Sequence, residues 1–286
     1  MPQSPTNDGD ASESSESIAR WNTQCPGSVT FLALLVAIAG CASLPPTIPG
    51  GSVAPLESGD EKWLVRGHVD GHPAVFVLDT GATITSLTTA AARRFSIRAT
   101  DATTINAQYP AGTATVGLEV GGLVHEPVRV AIVDMPLAAE LGARIDGIIG
   151  LDVLGQHDIV IDFARRTLAL HAPGTLVRQA LPQTVTRVHF RRGQRGVIEL
   201  PATLAGATLP AVLDLGSSYN LTNGTTATAN VHIGTAAVSG RFFPLDGEMF
   251  VRLGYVDRPA LVIGSGAFEG RMIAIAYRDQ IAFISD

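Results

Sequence analysis

At 286 residues, with a formal net charge of −6 and 46% hydrophobic residues, the chain can hold one large domain or two small ones around an ample core. Its acidic balance argues against a nucleic-acid partner, and the arginine pairs Arg93-Arg94, Arg165-Arg166 and Arg191-Arg192 are scattered solvated faces rather than a basic stripe. The only cysteines, Cys25 and Cys41, precede everything that reads as folded, so the folded part carries no disulfide and no thiol ligand or nucleophile.

The first 28 residues are rich in Ser, Asp, Glu, Asn and Pro, with Ile18 and Trp21 as their bulky apolar side chains. Such a stretch cannot bury enough surface to offset its ordering entropy and is expected to be disordered. Val29 to Ala39 follows, apolar but for Thr30, and runs into Ile38-Ala39-Gly40-Cys41. It is too short to span a bilayer comfortably and has the length of a signal-peptide hydrophobic region. The small residues directly before Cys41 resemble a bacterial lipobox. That resemblance implies cleavage before Cys41, lipidation of Cys41 and, with Ala42 and Ser43 next in place of an Asp, passage to the outer membrane. Asp8, Asp10, Glu13 and Glu16 outnumber Arg20 where a signal would be basic. A start codon placed upstream of the true one and an uncleaved membrane anchor both stay open, and both put the remainder outside the cytoplasm. Residues 42–60, with Pro45, Pro46, Pro49 and Pro55, are expected to form a tether.

The body opens near Glu61. Trp63–Val69 and Ala74–Leu78 read as a hairpin around Asp70-Gly71, a strong turn signal. Val75-Phe76-Val77-Leu78 has the apolar continuity of a strand buried on both faces, and it ends on Asp79-Thr80-Gly81-Ala82. A carboxylate in such a place needs hydrogen bonds or a function. Thr88–Phe95 has helix-forming composition and is expected to be the one clear helix. Thr103–Val116 alternates loosely around Tyr109-Pro110-Ala111-Gly112, as a hairpin would.

The chain then repeats itself. At a shift of 135, Asp79 falls on Asp214, Gly71 on Gly206, Leu78 on Leu213, Gly81 on Gly216 and Ala82 on Ser217. At a shift of 114, Ile148-Ile149-Gly150 falls on Val262-Ile263-Gly264, and Ile159-Val160-Ile161 on Ile273-Ala274-Ile275. Further on, Leu168-Ala169-Leu170 is matched with Ile281-Ala282-Phe283. The two shifts differ by 21, so the second unit is shorter in its middle. Units of this size are small domains rather than solenoid repeats. Two of them, each with an Asp in the same place, suggest a pseudo-twofold molecule whose carboxylates meet at the axis. Boundaries follow at 1–41 (disordered terminus and signal), 42–60 (tether), 61–178 (first lobe) and 179–286 (second lobe).

An apolar strand into Asp-Thr/Ser-Gly-small residue, followed later by apolar-apolar-Gly, resembles the aspartic proteases of the retropepsin and pepsin type. Asp79-Thr80-Gly81-Ala82 with Ile148-Ile149-Gly150 fits throughout, and Asp214-Leu215-Gly216-Ser217 with Val262-Ile263-Gly264 departs only at Leu215. The resemblance covers about Trp63 to Ser285. It implies an all-β molecule of two retropepsin-like β-barrel lobes with a cleft between them, and Asp79 and Asp214 as a catalytic pair that shares a proton. It further implies Thr80, Gly81, Gly216 and Ser217 as supporting residues, and a flap carrying Tyr109 and Gly112. A peptide or protein substrate, a monomer and no cofactor or metal go with it. Leu215 stands where the second loop-holding hydroxyl would be, which threatens to leave the Thr80 hydroxyl without its partner. A fold that binds peptides or an envelope partner without cutting them is therefore the alternative to an endopeptidase.

Other signals carry less. His68 and His72 lie on the hairpin and do not share a face as a metal site requires. Ser217-Ser218 lacks the surroundings of a nucleophile. Asn220 and Asn223 match the glycosylation pattern, with Asn223-Gly224 better read as a turn. Asp146, Asp152 and Asp162 are expected in turn and surface roles.

Overall fold

Two hairpins of the same kind start the two lobes. Asp70 and Gly71 have φ of 48° and 78°, and Ala205 and Gly206 have 49° and 83°. This is the left-handed two-residue turn whose twist matches that of the strands it joins. The computed structural model describes residues 51–59, 62–105, 109–134, 145–179, 184–225, 227–245, 247–256 and 258–285. The expectations for residues 1–50, Cys41 included, lie outside them.

The first lobe contains β1 (Ser52–Gly59), β2 (Lys62–Val69), β3 (His72–Leu78), β4 (Ser86–Thr88), β5 (Asp101–Ile105), β6 (Tyr109–Val120), β7 (Leu123–Val133), β8 (Gly147–Ile149), β9 (Asp158–Asp162) and β10 (Thr167–His171). The second contains β11 (Val185–His189), β12 (Arg191–Arg192), β13 (Ile198–Leu204), β14 (Ala207–Asp214), β15 (Asn220–Thr222), β16 (Ala227–Ile233), β17 (Ala236–Pro244), β18 (Leu261–Gly264), β19 (Met272–Ala276) and β20 (Ile281–Ser285). The fold is all-β, and the lobes share one strand plan. The first runs β2-β3-β8-β4-β7-β6 and closes through β2–β6; the second runs β13-β14-β18-β15-β17-β16 and closes through β13–β16. In each, the Asp-bearing strand lies parallel to the apolar-apolar-Gly strand, β3 to β8 and β14 to β18. These are retropepsin-like lobes, as the resemblance implied.

The lobes are joined by a sheet that reads the same from either end, β1-β10-β9-β19-β20-β11. At its centre Val160 pairs with Ala274, flanked by Ile159 with Ile275 and Ile161 with Ile273. The shift of 114 makes Val160 and Ala274 each other's counterpart, so the pseudo-twofold axis passes through this pair. One continuous apolar core runs beneath both lobes, from Phe76, Leu78 and Ile149 to Leu213, Ile263 and Phe268. Phe163 bridges it, 5.1 Å from the Trp63 ring and 6.3 Å from Phe268.

Four expectations change. Residues 52–59 are not part of a tether: β1 pairs with β10 through Ser52–Pro55 and with β2 through Leu56–Gly59, because Ala54 and Leu56 are buried in the core. The helix over Thr88–Phe95 forms as α1 (Thr89–Arg94), with Thr88 Oγ1 accepting from the Ala91 amide at 3.0 Å. Among the described residues it is accompanied by three more short helices, α2 (Leu151–Leu154), α3 (Thr175–Arg178) and α4 (Gly247–Arg252). The terminal strands match one residue differently from the sequence expectation. Leu168 faces Ile161 and Ala282 faces Ile275, so Leu168 corresponds to Ala282 rather than Ile281. Asp146 and Asp162, at 1% and 4% exposure, are interior rather than surface residues. Asp146 is held by Arg94 and the Val75 amide, Asp162 by the amide and guanidinium of Arg165. Among the described residues α1 and β5 have no counterpart between β15 and β16, which accounts for most of the shorter middle of the second lobe.

Candidate active site

The two aspartate turns are built the same way. β3 delivers Asp79, whose amide donates to the Ile149 carbonyl at 3.2 Å, and β14 delivers Asp214 as its last residue, level with Gly264. The loop after each aspartate folds over the glycine of the neighbouring motif. A Cβ on Gly150 would stand 2.9 Å from the Ala82 oxygen, and one on Gly264 would stand 2.7 Å from the Ser217 oxygen. That proximity is why the motif ends in glycine. The Leu151 amide then donates to Ala82 O at 2.8 Å, and the Ser265 amide to Ser217 O at 2.7 Å. Six positions after each aspartate stand Thr85 and Asn220. The Gly150 amide donates to Thr85 Oγ1 and the Gly264 amide to Asn220 Oδ1, both at 3.1 Å. Asp152, half-buried, orients Thr85 by accepting from its hydroxyl at 2.6 Å.

These brackets bring the carboxyl groups of Asp79 and Asp214 together across the lobes, where they share a hydrogen bond. Each packs against the other turn's glycine. A Cβ on Gly81 would lie 2.5 Å from the Asp214 carboxyl carbon, and a Cβ on Gly216 would overlap the Asp79 carboxyl. Asp79 Oδ1 accepts from the amides of Gly81 at 2.7 Å and Ala82 at 3.1 Å. On the other side Asp214 Oδ1 accepts from the Ser217 amide at 3.1 Å. Burial pushes both carboxyls above the usual carboxylate range. Asp214 rises to about 8 because the neighbouring Asp79 charge adds repulsion to its burial. The two backbone donors favour the ionised form of Asp79, so the proton of the pair resides preferentially on Asp214.

Thr80 is fully buried between the turns. Its hydroxyl donates to the Leu213 carbonyl at 2.9 Å and accepts from the Leu215 amide at 3.0 Å. Leu215 does not leave it without a partner: the second turn answers with backbone atoms, while the Leu215 side chain, 1% exposed, joins the common core. The Lys62 ammonium also crosses the interface and donates to the Gly216 carbonyl at 2.5 Å.

The remaining sequence candidates separate. The Ser217 amide supports Asp214, whereas its hydroxyl donates to the Tyr219 carbonyl at 3.0 Å. Gly112 pairs with Ala102 and Ile132 in β6, and a Cβ there would stand 2.5 Å from that of Ala99. The β5–β6 hairpin exists, with Ile105 opposite Tyr109. Its tip at 106–108 and the Tyr109 side chain lie outside the described residues. Asn220 and Asn223 are structural, Asn223 spanning the Arg258 carbonyl and the Ala260 amide. Among the described residues no group of three or more His, Cys, Asp or Glu side chains is placed to hold a metal ion. Sequence reasoning missed Lys62, Thr85, Asn220 and Asp152. The common offset of Thr85 and Asn220 from their aspartates was the available signal for two of them.

The shared strand plan of the two lobes is that of an all-β, retropepsin-like fold. Residues 65–153 match the family described as aspartyl protease, which identifies an aspartic-protease-like domain in the first lobe. No curated protein matches the chain.

Proposed function

We propose that the protein is an aspartic endopeptidase in which Asp79 and Asp214 activate a water between them. The observation that carries this reading is the hydrogen-bonded carboxyl pair, each member lying against the other turn's glycine. Asp79, ionised, takes a proton from the water as its oxygen attacks the scissile carbonyl carbon, and Asp214 gives its proton to the carbonyl oxygen. In the second half Asp79 passes the proton it took to the amide nitrogen. The C–N bond breaks and Asp214 recovers a proton as the new carboxyl forms. The roles follow from the pair itself, since two adjoining carboxyls do not both ionise and the better hydrogen-bonded one keeps the charge.

Digestion of an unstructured protein between about pH 3 and 7 tests the reading. Cleavage by the wild type that vanishes in Asp79→Asn and in Asp214→Asn supports it. A wild type that cuts at no pH, yet binds peptides, supports the alternative of a binding protein with this fold. The lipobox-like Ile38-Ala39-Gly40-Cys41 supports a further proposal, that Cys41 is lipidated and the lobes face the periplasm from the outer membrane. Metabolic labelling with radioactive palmitate, retained by the wild type and lost in Cys41→Ser, is the expected outcome; an unlabelled wild type refutes it.

A further inference from the structure

Besides the bonds within its own lobe, the second aspartate turn is held from the first lobe. Thr80 binds Leu213 and Leu215, and Lys62 binds Gly216, so the residues on both sides of Asp214 are gripped from across the interface. Among the described residues nothing equivalent runs the other way: position 215 offers a leucine, and the counterpart of Lys62 at the shift of 135 is Val197, 2% exposed in an apolar cluster. Gly216 is also the residue whose Cα lies against the Asp79 carboxyl. A hold on its carbonyl therefore fixes the distance between the two halves of the pair.

We propose that Lys62 is a positioning residue of the aspartate pair, which clamps the Gly216 turn in place of the missing second hydroxyl and sets the pH at which the pair loses its shared proton. The proposal rests on Asp79 and Asp214 acting together, as in the preceding section. Lys62 is the first described residue of β2, half-buried, opposite Gly59 in the β1–β2 hairpin. Its ammonium is a point charge, and the hydrogen bond to Gly216 keeps it beside the pair. The groups acting on the two carboxyls are each other, the amides of Gly81, Ala82 and Ser217, and Lys62, whose charge lowers the proton affinity of both. Lys62 thus opposes the burial that drives the carboxyls toward the neutral form, and it keeps one of them ionised at lower pH than the cleft alone would allow.

The test follows the carboxyl carbons of Asp79 and Asp214 by carbon-13 NMR through a pH titration, with resonances assigned from Asp79→Asn and Asp214→Asn. Wild type is compared with Lys62→Met, Lys62→Gln and Lys62→Arg. Removing the charge is expected to move the pair's titration to higher pH in Lys62→Met and Lys62→Gln, while Lys62→Arg stays near wild type. Lys62→Gln retains a donor for the Gly216 carbonyl, so it remains informative where Lys62→Met folds poorly. A titration unchanged in both neutral variants overturns the proposal. So does an equal shift in Lys62→Arg, which would make the effect one of packing rather than charge. No cleavage is needed for this readout, so a wild type that cuts nothing refutes the endopeptidase reading and leaves the role of Lys62 standing or falling by itself. Where the wild type does cut, Lys62→Met is expected to lose on the order of 10- to 100-fold in kcat/KM from the loosened geometry, with its pH profile displaced upward.

Discussion

The Thr80 hydroxyl joins the two lobes by donating to one backbone group and accepting from another, and the residue is fully buried away from bulk solvent. Thr80→Val keeps the shape and removes the oxygen, leaving the Leu213 carbonyl and the Leu215 amide without that partner. The expected loss is about 1–3 kcal/mol for each orphaned group, read as a fall in melting temperature of roughly 2–4 °C per kcal/mol for a chain of this size. A melting temperature within a degree of wild type would show that these bonds are replaced elsewhere. Leu215 was legible as a departure from the hydroxyl-bearing pattern. Its consequence was not, because residue types do not reveal which backbone atoms face across an interface. Lys62 was hidden for the same reason: 154 positions separate it from the carbonyl it holds, and nothing local to Lys62 announces a partner.

Between residue and molecule stand the paired strands, and the decisive element is the β9–β19 pairing. Each lobe's ring closes on its own through β2–β6 or β13–β16, so the lobes are joined by the palindromic sheet and by the cross-lobe core. Ala274 sits at its centre with no exposed surface. Ala274→Asp places a carboxyl there without a partner, and such burial costs several kcal/mol; chemical denaturation should show a loss of about 3–5 kcal/mol. The same substitution at Val53, 60% exposed on β1 of the same sheet, should stay within roughly 0.5 kcal/mol. Equal effects at the two positions would mean that the axis pairing is not what joins the lobes. The repeat that revealed this axis was readable because apolar-apolar-Gly and Asp-x-Gly are sparse, directional patterns. Phase was lost where the pattern was apolar on both faces. Leu168-Ala169-Leu170 can be set against β20 in two registers with equal hydrophobicity, and only hydrogen bonding to β9 and β19 decides between them. β1 escaped notice because Pro55 and its small residues resemble a linker, while its burial comes from just two side chains, Ala54 and Leu56.

For the molecule as a whole, two buried sets of titratable groups act on stability in opposite directions. The aspartate pair binds protons more tightly folded than unfolded, with Asp214 raised from an ordinary carboxyl value to about 8. Its contribution is therefore full below the unfolded carboxyl value of about 4 and is lost as pH rises toward 8. The second set is His125, His157 and His171, whose Nε2 atoms are buried without hydrogen-bond partners among the described residues. The His125 and His157 rings meet edge-on at 5.0 Å. Burial lowers all three below the usual imidazole value; the His157 charge adds to this at His125, and Asp158 opposes it at His157 and His171. An unfolded chain takes up these protons first, so stability falls as pH drops below about 6.5. The two slopes predict a stability maximum at mildly acidic to neutral pH. Melting temperatures measured from pH 4 to pH 9 should resolve them. Asp214→Asn is expected to flatten the decline toward pH 8 and raise the melting temperature there, leaving the acid limb intact. The double variant His125→Gln, His157→Gln is expected to flatten the acid limb and leave the decline toward pH 8 intact. An acid limb that survives the double variant unchanged would remove the histidine cluster as its cause. A neutral-side decline that survives Asp214→Asn would show that the carboxyl pair holds no excess proton in the folded protein, and with it would go the assignment of Asp214 as the proton donor in peptide cleavage.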